Sequence, residues 1–262
     1  MVVDDSLDAG PGDCLVWPEQ QPDMAHVVDC SESHRFEVAE VVDVSGQYGP
    51  GAAPPTTVAL QALSQQRCQP AARNYLGPHY DPNGRFTIAM LWRGERHWRE
   101  TGTRLMLCGL QQIGADGRQS TFVGRVADQD QSKTWPAGTC IGIDTASHVP
   151  TDLPVDCGAP HAMEVTGTVD VGARFPGGLP AEADQDAFLK DGCVKATDAY
   201  LAPVALRETT LTVVYSTIQQ ASWDAGSRQV ACLIGAVSGE GWATLLNSAK
   251  GPLLINGRPP AP

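Results

Sequence analysis

The sequence is poor in basic residues: eighteen Lys and Arg stand against thirty Asp and Glu, for a net charge of −12. No block of Lys or Arg interrupts that balance. A surface this acidic repels phosphate backbones and anionic headgroups, so nucleic acid is excluded as a partner, and weakly bound cations are the one class the charge favours. Also lacking is any apolar stretch as long as a membrane span. The opening Met1-Val-Val-Asp-Asp-Ser is acidic and has no hydrophobic run of the kind a signal peptide needs. The cysteines never come as C-x2-C, the close pair that structural zinc sites use and that lowers a redox thiol's pKa. G-x-S-x-G, H-E-x-x-H, the P-loop and a G-x-G-x-x-G before a helix are all absent, so no familiar nucleophile, metal or nucleotide motif is present.

What is present is a repeating framework. Cys14, Cys30, Cys68 and Cys108 are separated by steps of 16, 38 and 40 residues, and Cys140, Cys157, Cys193 and Cys232 by 17, 36 and 39. The flanking words match: Gly12-Asp-Cys-Leu answers Gly138-Thr-Cys-Ile, and Val28-Asp-Cys-Ser-Glu-Ser-His-Arg-Phe-Glu-Val38 answers Val155-Asp-Cys-Gly-Ala-Pro-His-Ala-Met-Glu-Val165. The reading is an internal duplication, with each half long enough to bury its own core. Residues 1–11 are expected to be linker, 12–130 the first repeat, 131–255 the second and 256–262 a Pro-rich tail. Balanced sets of cysteines point to disulfides and an oxidising compartment. Oxidised cysteines imply export, so the chain is expected to be an excised extracytoplasmic region, not itself inserted in the membrane and anchored by an N-terminal segment outside this sequence.

Each half shows the same order of elements. A short apolar piece carries the first cysteine and a second extended piece leads to the next. A strand follows, Phe36–Val44 or Met163–Val171. A loop leads to a helix that Thr56 or Thr57 caps in the first half and that starts near Pro180 in the second, with Cys68 and Cys193 late in these helices. Two further strands close each half: 85–92 with 104–111, and 211–216 with 228–234. The fold class is α+β, with one main helix packed on an antiparallel sheet in each unit. Four cysteines allow three pairings. The first two lie on neighbouring extended pieces, the third on the helix and the fourth on the strand beneath it. The favoured pairs are therefore Cys14–Cys30, Cys68–Cys108, Cys140–Cys157 and Cys193–Cys232, in structural roles.

Two further words recur. C-x3-H-x2-E supplies His34 and Glu37, then His161 and Glu164. These could bind a metal or trade protons. On a regular strand, however, residues three apart point to opposite faces, which favours an imidazole held by backbone. W…G-[T/S]-R supplies Trp98 and Trp223, read as packed indoles at a turn, or as stacking platforms for a glycan should they prove exposed.

The words G-D-C-L, V-x-C-x3-H-x2-E-V and the late W…G-x-R…C resemble the septum-formation domain family of actinobacterial extracytoplasmic regions. The likeness covers most of each half, as two tandem copies. It implies a membrane-anchored cell-envelope protein linked to septum formation and cell division. The leading expectation is a non-enzymatic binding or scaffolding module whose partner is an unidentified envelope protein or cell-wall component, with no cofactor, no metal and no catalytic residue. The alternatives are an envelope hydrolase or transferase with its site between the halves, and a metal-binding module built on the two H-x-x-E words.

Overall fold

The computed structural model describes residues 1–3, 7–206, 210–239 and 241–260. They form two compact units. The first comprises Met1–Tyr80, Phe86–Gln112 and Gln119–Gln129, and the second Asp81–Arg85, Ile113–Arg118 and Asp130–Pro262.

In unit 1, β1 (Cys14–Val16), β2 (His26–Val28), β3 (Phe36–Asp43), β4 (Phe86–Trp92) and β5 (Leu105–Ile113) form an antiparallel sheet in the order β2-β1-β3-β5-β4, with β6 (Gln119–Ser120) beside β5. A helix lies across it. Thr56, in extended conformation, accepts the Ala59 N–H at 3.3 Å and starts α1 (Thr57–Leu63). One π-helical turn (Ser64–Cys68) continues into α2 (Gln69–Leu76), and Leu63, Cys68, Ala71, Ala72 and Leu76 turn inward. Cys68 therefore sits mid-helix rather than late. A short α3 (Gly94–Glu100) precedes β5.

Unit 2 repeats this plan. It contains β7 (Cys140–Asp144), β8 (Val149–Val155), β9 (His161–Asp170), the short α4 (Val171–Arg174), α5 (Glu182–Leu201), β10 (Thr212–Val214), α6 (Gln220–Asp224) and β11 (Gln229–Gly235). The ribbon β12 (Val237–Ser238) with β13 (Gly241–Trp242), then β14 (Leu245–Leu246) and β15 (Leu254–Ile255), complete it. The sheet order is β10-β11-β9-β14-β15, and β7 joins β8 to β9. Glu182 and Asp184 occupy the first turn of α5, where the helix dipole favours negative charge. Its buried residues, Gln185, Leu189, Cys193, Thr197 and Leu201, recur every four positions and form one stripe facing the sheet.

Both central strands carry a bulge that directs the core. In β3 the register against β5 slips between Val38 and Glu40; in β9 it slips where Gly167 and Val165 oppose the adjacent Cys232 and Leu233. The extra residue, Ala39 or Thr166, reverses the side on which later side chains emerge. Thus Phe36 and Val38 pack on the face away from the helix with Leu15, Trp17 and Leu91, while Val42 and Val44 pack on the helix face with Leu63 and Cys68. In the same way Met163 and Val165 face away from α5, and Val169 and Val171 face Leu189 and Cys193.

Residues near both ends of the chain are held by hydrogen bonds. The N–H of Val3 donates to the Trp92 carbonyl at 2.9 Å, that of Trp92 to the Met1 carbonyl at 3.0 Å, and Val3 and Leu7 are buried against unit 1's sheet. Apolar side chains explain this: Val3 and Leu7 lose water-exposed area by covering Leu15 and Phe36. Asn256, the first residue of the Pro-rich tail, is also bonded. Its N–H donates to Thr244, its side-chain oxygen accepts the Thr244 N–H at 3.0 Å, and Ile255 pairs with Arg258.

Candidate functional site

All eight cysteines are joined, as Cys14–Cys30, Cys68–Cys108, Cys140–Cys157 and Cys193–Cys232. The first bridge of each unit ties β1 or β7 to the turn that follows the next strand, and the second ties the main helix to the sheet beneath it.

Beside the first bridge of each unit lies a sealed polar cluster. His34 and Glu37 are 0% exposed, as is His161, and Glu164 is 1% exposed. His34 Nδ1 is 2.9 Å from the Glu32 carbonyl, and His161 Nδ1 is 2.9 Å from that of Ala159, so each ring donates there and leaves Nε2 as a bare acceptor. Neither Nε2 has a hydrogen-bond partner. The Glu37 carboxylate accepts the Tyr75 hydroxyl at 2.6 Å and the Val126 N–H at 2.8 Å. Glu164 accepts the Tyr200 hydroxyl, the Ser248 hydroxyl at 2.6 Å and the Ala249 N–H at 2.6 Å. Burial, reinforced by the neighbouring carboxylate, pushes both tyrosines up to about 12. Burial also lowers the His161 pKa, against the pull of its backbone bond and of Glu164.

The expectation that His34 and Glu37 would point apart is overturned: donor atoms of Cys14, His34 and Glu37 lie within 4.8 Å of one another. His34 sits ahead of β3 in an isolated bridge with Phe122, outside the regular pleat, and a register shift between Ile141 and Gly142 does the same service at His161. Within this group the Cys14 sulfur is bound in a disulfide, each Glu37 oxygen already accepts one hydrogen bond, from Tyr75 or from Val126, and His34 Nε2 accepts none among the described residues.

The sequence words overlooked Tyr75 and Tyr200 as members of these clusters, although each stands seven residues after its helical cysteine. The glycine of each G-x-C word belongs here too. Gly12 has φ +89° and Gly138 φ +94°, and a side chain on Gly138 would lie 3.3 Å from the Tyr200 hydroxyl.

Trp98 and Trp223 are 3% and 5% exposed, which removes them as glycan platforms. An arginine roofs each ring: the guanidinium carbon of Arg104 is 3.9 Å from the Trp98 centroid and that of Arg228 is 3.9 Å from Trp223. Each arginine also donates to the carbonyl of the tryptophan beneath it, at 2.7 Å and 2.6 Å. The word W…G-[T/S]-R is a self-contained corner.

An accessible cavity of about 490 Å³ opens in unit 2, on the face of the sheet away from α5. Its floor includes Met163, Val214, Ala231 and Leu233. At one end lies Asp81, 6% exposed, whose carboxylate accepts the Ser222 hydroxyl at 2.8 Å, the Ser227 hydroxyl and the Asn83 N–H at 2.8 Å. Lys133 and Asp152 pair at 3.5 Å on the rim. Met163 and Ser227 stand inside repeated words and Val214, Ala231 and Leu233 inside expected strands, but nothing in the sequence joins them to Asp81, Lys133 and Asp152.

Residues 11–232 match the family model described as septum formation. Two relatives, each named an uncharacterized membrane protein, from two strains of Mycobacterium tuberculosis, are 57% identical over 256 residues. The match covers 96% of this chain and 57% of each relative, so the chain spans little more than half their length. No solved structure matches it. Among the described residues no helix is long and apolar enough to cross a membrane.

Proposed function

The chain belongs to the septum-formation family, and from that premise we propose that it is a non-enzymatic binding or scaffolding module on the outer side of the cytoplasmic membrane. In this reading it serves a membrane-anchored cell-envelope protein that acts in septum formation and cell division. The carrying observation is the fate of the reactive-looking residues. His34, Glu37, His161 and Glu164 are sealed from solvent, and both glutamates are saturated by a tyrosine and a backbone N–H. A general acid or base must reach its substrate, and these cannot. Four disulfides fit an oxidising compartment, which supports the extracytoplasmic placement. The relatives' printed name, membrane protein, supports the anchorage. The partner in this reading is an envelope protein or a cell-wall component.

The test uses the oxidised chain, immobilised, and the same chain reduced and alkylated as control. Envelope extract is passed over both. Saturable, stoichiometric retention on the oxidised form alone, with the retained component recovered chemically unaltered, is the expected result. Recovery of that component cleaved or modified, with turnover beyond one equivalent, would establish an enzyme and end the reading.

A further inference from the structure

We propose that the cavity of unit 2 beside the unpaired stretch of β11 is a docking groove for an extended basic peptide segment of the partner. The proposal deepens the binding-module reading and rests on it.

Unit 1 supplies the precedent. Its sheet face away from the helix carries Leu15, Trp17, Phe36 and Val38, and the chain's own first residues close it. Val2 bridges Trp92 in parallel, extending the sheet by one strand position, and Val3 and Leu7 drop onto the apolar floor. The equivalent floor in unit 2, fixed by the matching disulfides and registers, is Ile141, Ile143, Met163 and Val165. Trp135 and Trp242 pack on that floor, and the half-buried Val214, Ala231 and Leu233 continue it into the cavity. The residue that precedes Cys140 by the distance at which Leu7 precedes Cys14 is Lys133, and it sits on the groove's rim.

The sheet itself is also incomplete at this place. In unit 1, β4 pairs with β5 continuously from Phe86 to Trp92. In unit 2, β10 pairs with β11 only at Leu233, Ile234 and Gly235, although β11 runs on against β9 from Gln229. Gln229–Cys232 therefore has no strand on its outer side among the described residues. Ser132 covers only the beginning, taking the Gln229 N–H at 3.0 Å. A sheet edge beside an apolar floor is the setting in which an extended peptide adds as a strand, held by its main chain and sorted by alternate side chains.

Charge selects the kind of peptide. The groove holds Asp81 and Asp152 against Lys133, and Lys133 is already paired with Asp152. Asp81 is buried and receives only neutral donors, from Ser222, Ser227 and Asn83. Its negative charge has no cation facing it among the described residues. A lysine or arginine on the incoming segment would supply one, and the chain's net charge of −12 would draw such a segment in.

The probes are two peptides capped at both ends. MVVDDSLDA is residues 1–9 of this sequence, and MVVKKSLKA is the same segment with its acids changed to lysine. Each is titrated into the isotope-labelled, oxidised full chain at low ionic strength, and amide shifts are followed. The lysine peptide should perturb Val214, Ala231 and Leu233 first, and bind about tenfold or more tightly than the acidic one, with affinity falling as salt is added. A231R fills the groove and adds like charge, so it should abolish those shifts. K133E removes the rim's cation, so it should tighten the lysine peptide several-fold, a gain that misfolding cannot mimic. Absence of shifts in β10 and β11, or equal binding of both peptides, overturns the proposal. Concentration-dependent self-association that A231R removes would assign the groove to a second copy of this chain and overturn it as well. Such failures remove this groove alone, because the parent reading falls only on recovery of a chemically altered component in its own test.

Discussion

Removing the Tyr75 hydroxyl should destabilise the chain more than removing that of Tyr200, even though the two occupy matching sites. Glu37 is fully buried and its two oxygens have one donor each: Tyr75 at 2.6 Å on Oε1 and the Val126 N–H at 2.8 Å on Oε2. Tyr75→Phe leaves Oε1 without a donor inside the protein. A hydrogen bond to a charged group contributes roughly 1.5–3 kcal/mol, and an abandoned buried acceptor falls at the upper end of that range. Glu164 differs, since its Oε1 accepts the Ser248 hydroxyl at 2.6 Å as well as Tyr200. Tyr200→Phe leaves that oxygen satisfied and should cost about 1 kcal/mol, the ordinary net value of one hydrogen bond. Urea unfolding of the intact oxidised chain, with both variants beside the parent, measures the difference. Ser248→Ala combined with Tyr200→Phe should then restore the larger loss. Equal costs for the two tyrosine variants, or a Tyr75→Phe loss within the error of the measurement, would refute the assignment of an otherwise donorless oxygen to Glu37.

The remaining predictions follow from the bridges, the buried imidazole and the glycine turns. Opening Cys68–Cys108 or Cys193–Cys232 by serine substitution removes loops closed across 40 and 39 residues. Each should cost about 4 kcal/mol on the chain-entropy model, against about 3 kcal/mol for either of the shorter bridges; a reversed order in urea midpoints would contradict the entropic account. His161 is held below its ordinary value of 6.5 by burial, so the unfolded chain takes up the proton first. Its contribution to stability is complete above about pH 6.5 and is lost as the pH falls through and below that value, and His161→Asn should flatten the acid limb of the stability profile. Tyr75 and Tyr200 act in the opposite sense: their stabilisation holds below pH 10 and fades as the pH rises toward about 12, readable from their absorbance change on ionisation. Gly138→Ala forces a side chain into φ +94° beneath the Tyr200 hydroxyl and should cost about 1–3 kcal/mol, where a substitution at the unconstrained Gly10 should cost far less.

Much of the fold is legible in the sequence because its signals are local. A capping threonine, a proline or glycine at a helix exit and runs of β-branched residues each act within a few positions. The strand pair Phe86–Trp92 with Leu105–Ile113, and the helix that begins after Thr56, are of this kind. The polar clusters are less legible. The words containing His34 and Glu37 stand out by repetition, but pleat parity assigns them to opposite faces, and only the departure from regular pairing near His34 reverses that. Trp98 and Trp223 carry the same word whether they are buried or exposed, and the arginine that covers each ring is visible only in three dimensions. The groove as a whole has no sequence word, since it arises where β10 stops early beside β11.

From sequence alone come the eight cysteines in two matched sets, the excess of acidic over basic residues, and the order of strands and helices in each half. These follow from composition and short-range periodicity, which do not depend on what folds against what. Tertiary structure alone decided which side of each strand its apolar residues serve. The apolar positions 36, 38, 42 and 44 keep one parity along the chain, and so do 163, 165, 169 and 171. One inserted residue in each strand, Ala39 or Thr166, sends the first pair to one face and the second pair to the other. A bulge is a property of pairing between two strands, so neither strand records it by itself. The same dependence on a neighbour decides what covers the far face: in unit 1 the arm with Val3 and Leu7 closes it, and in unit 2 Lys133 stands at the place of Leu7 while Trp135 and Trp242 pack on the matching floor.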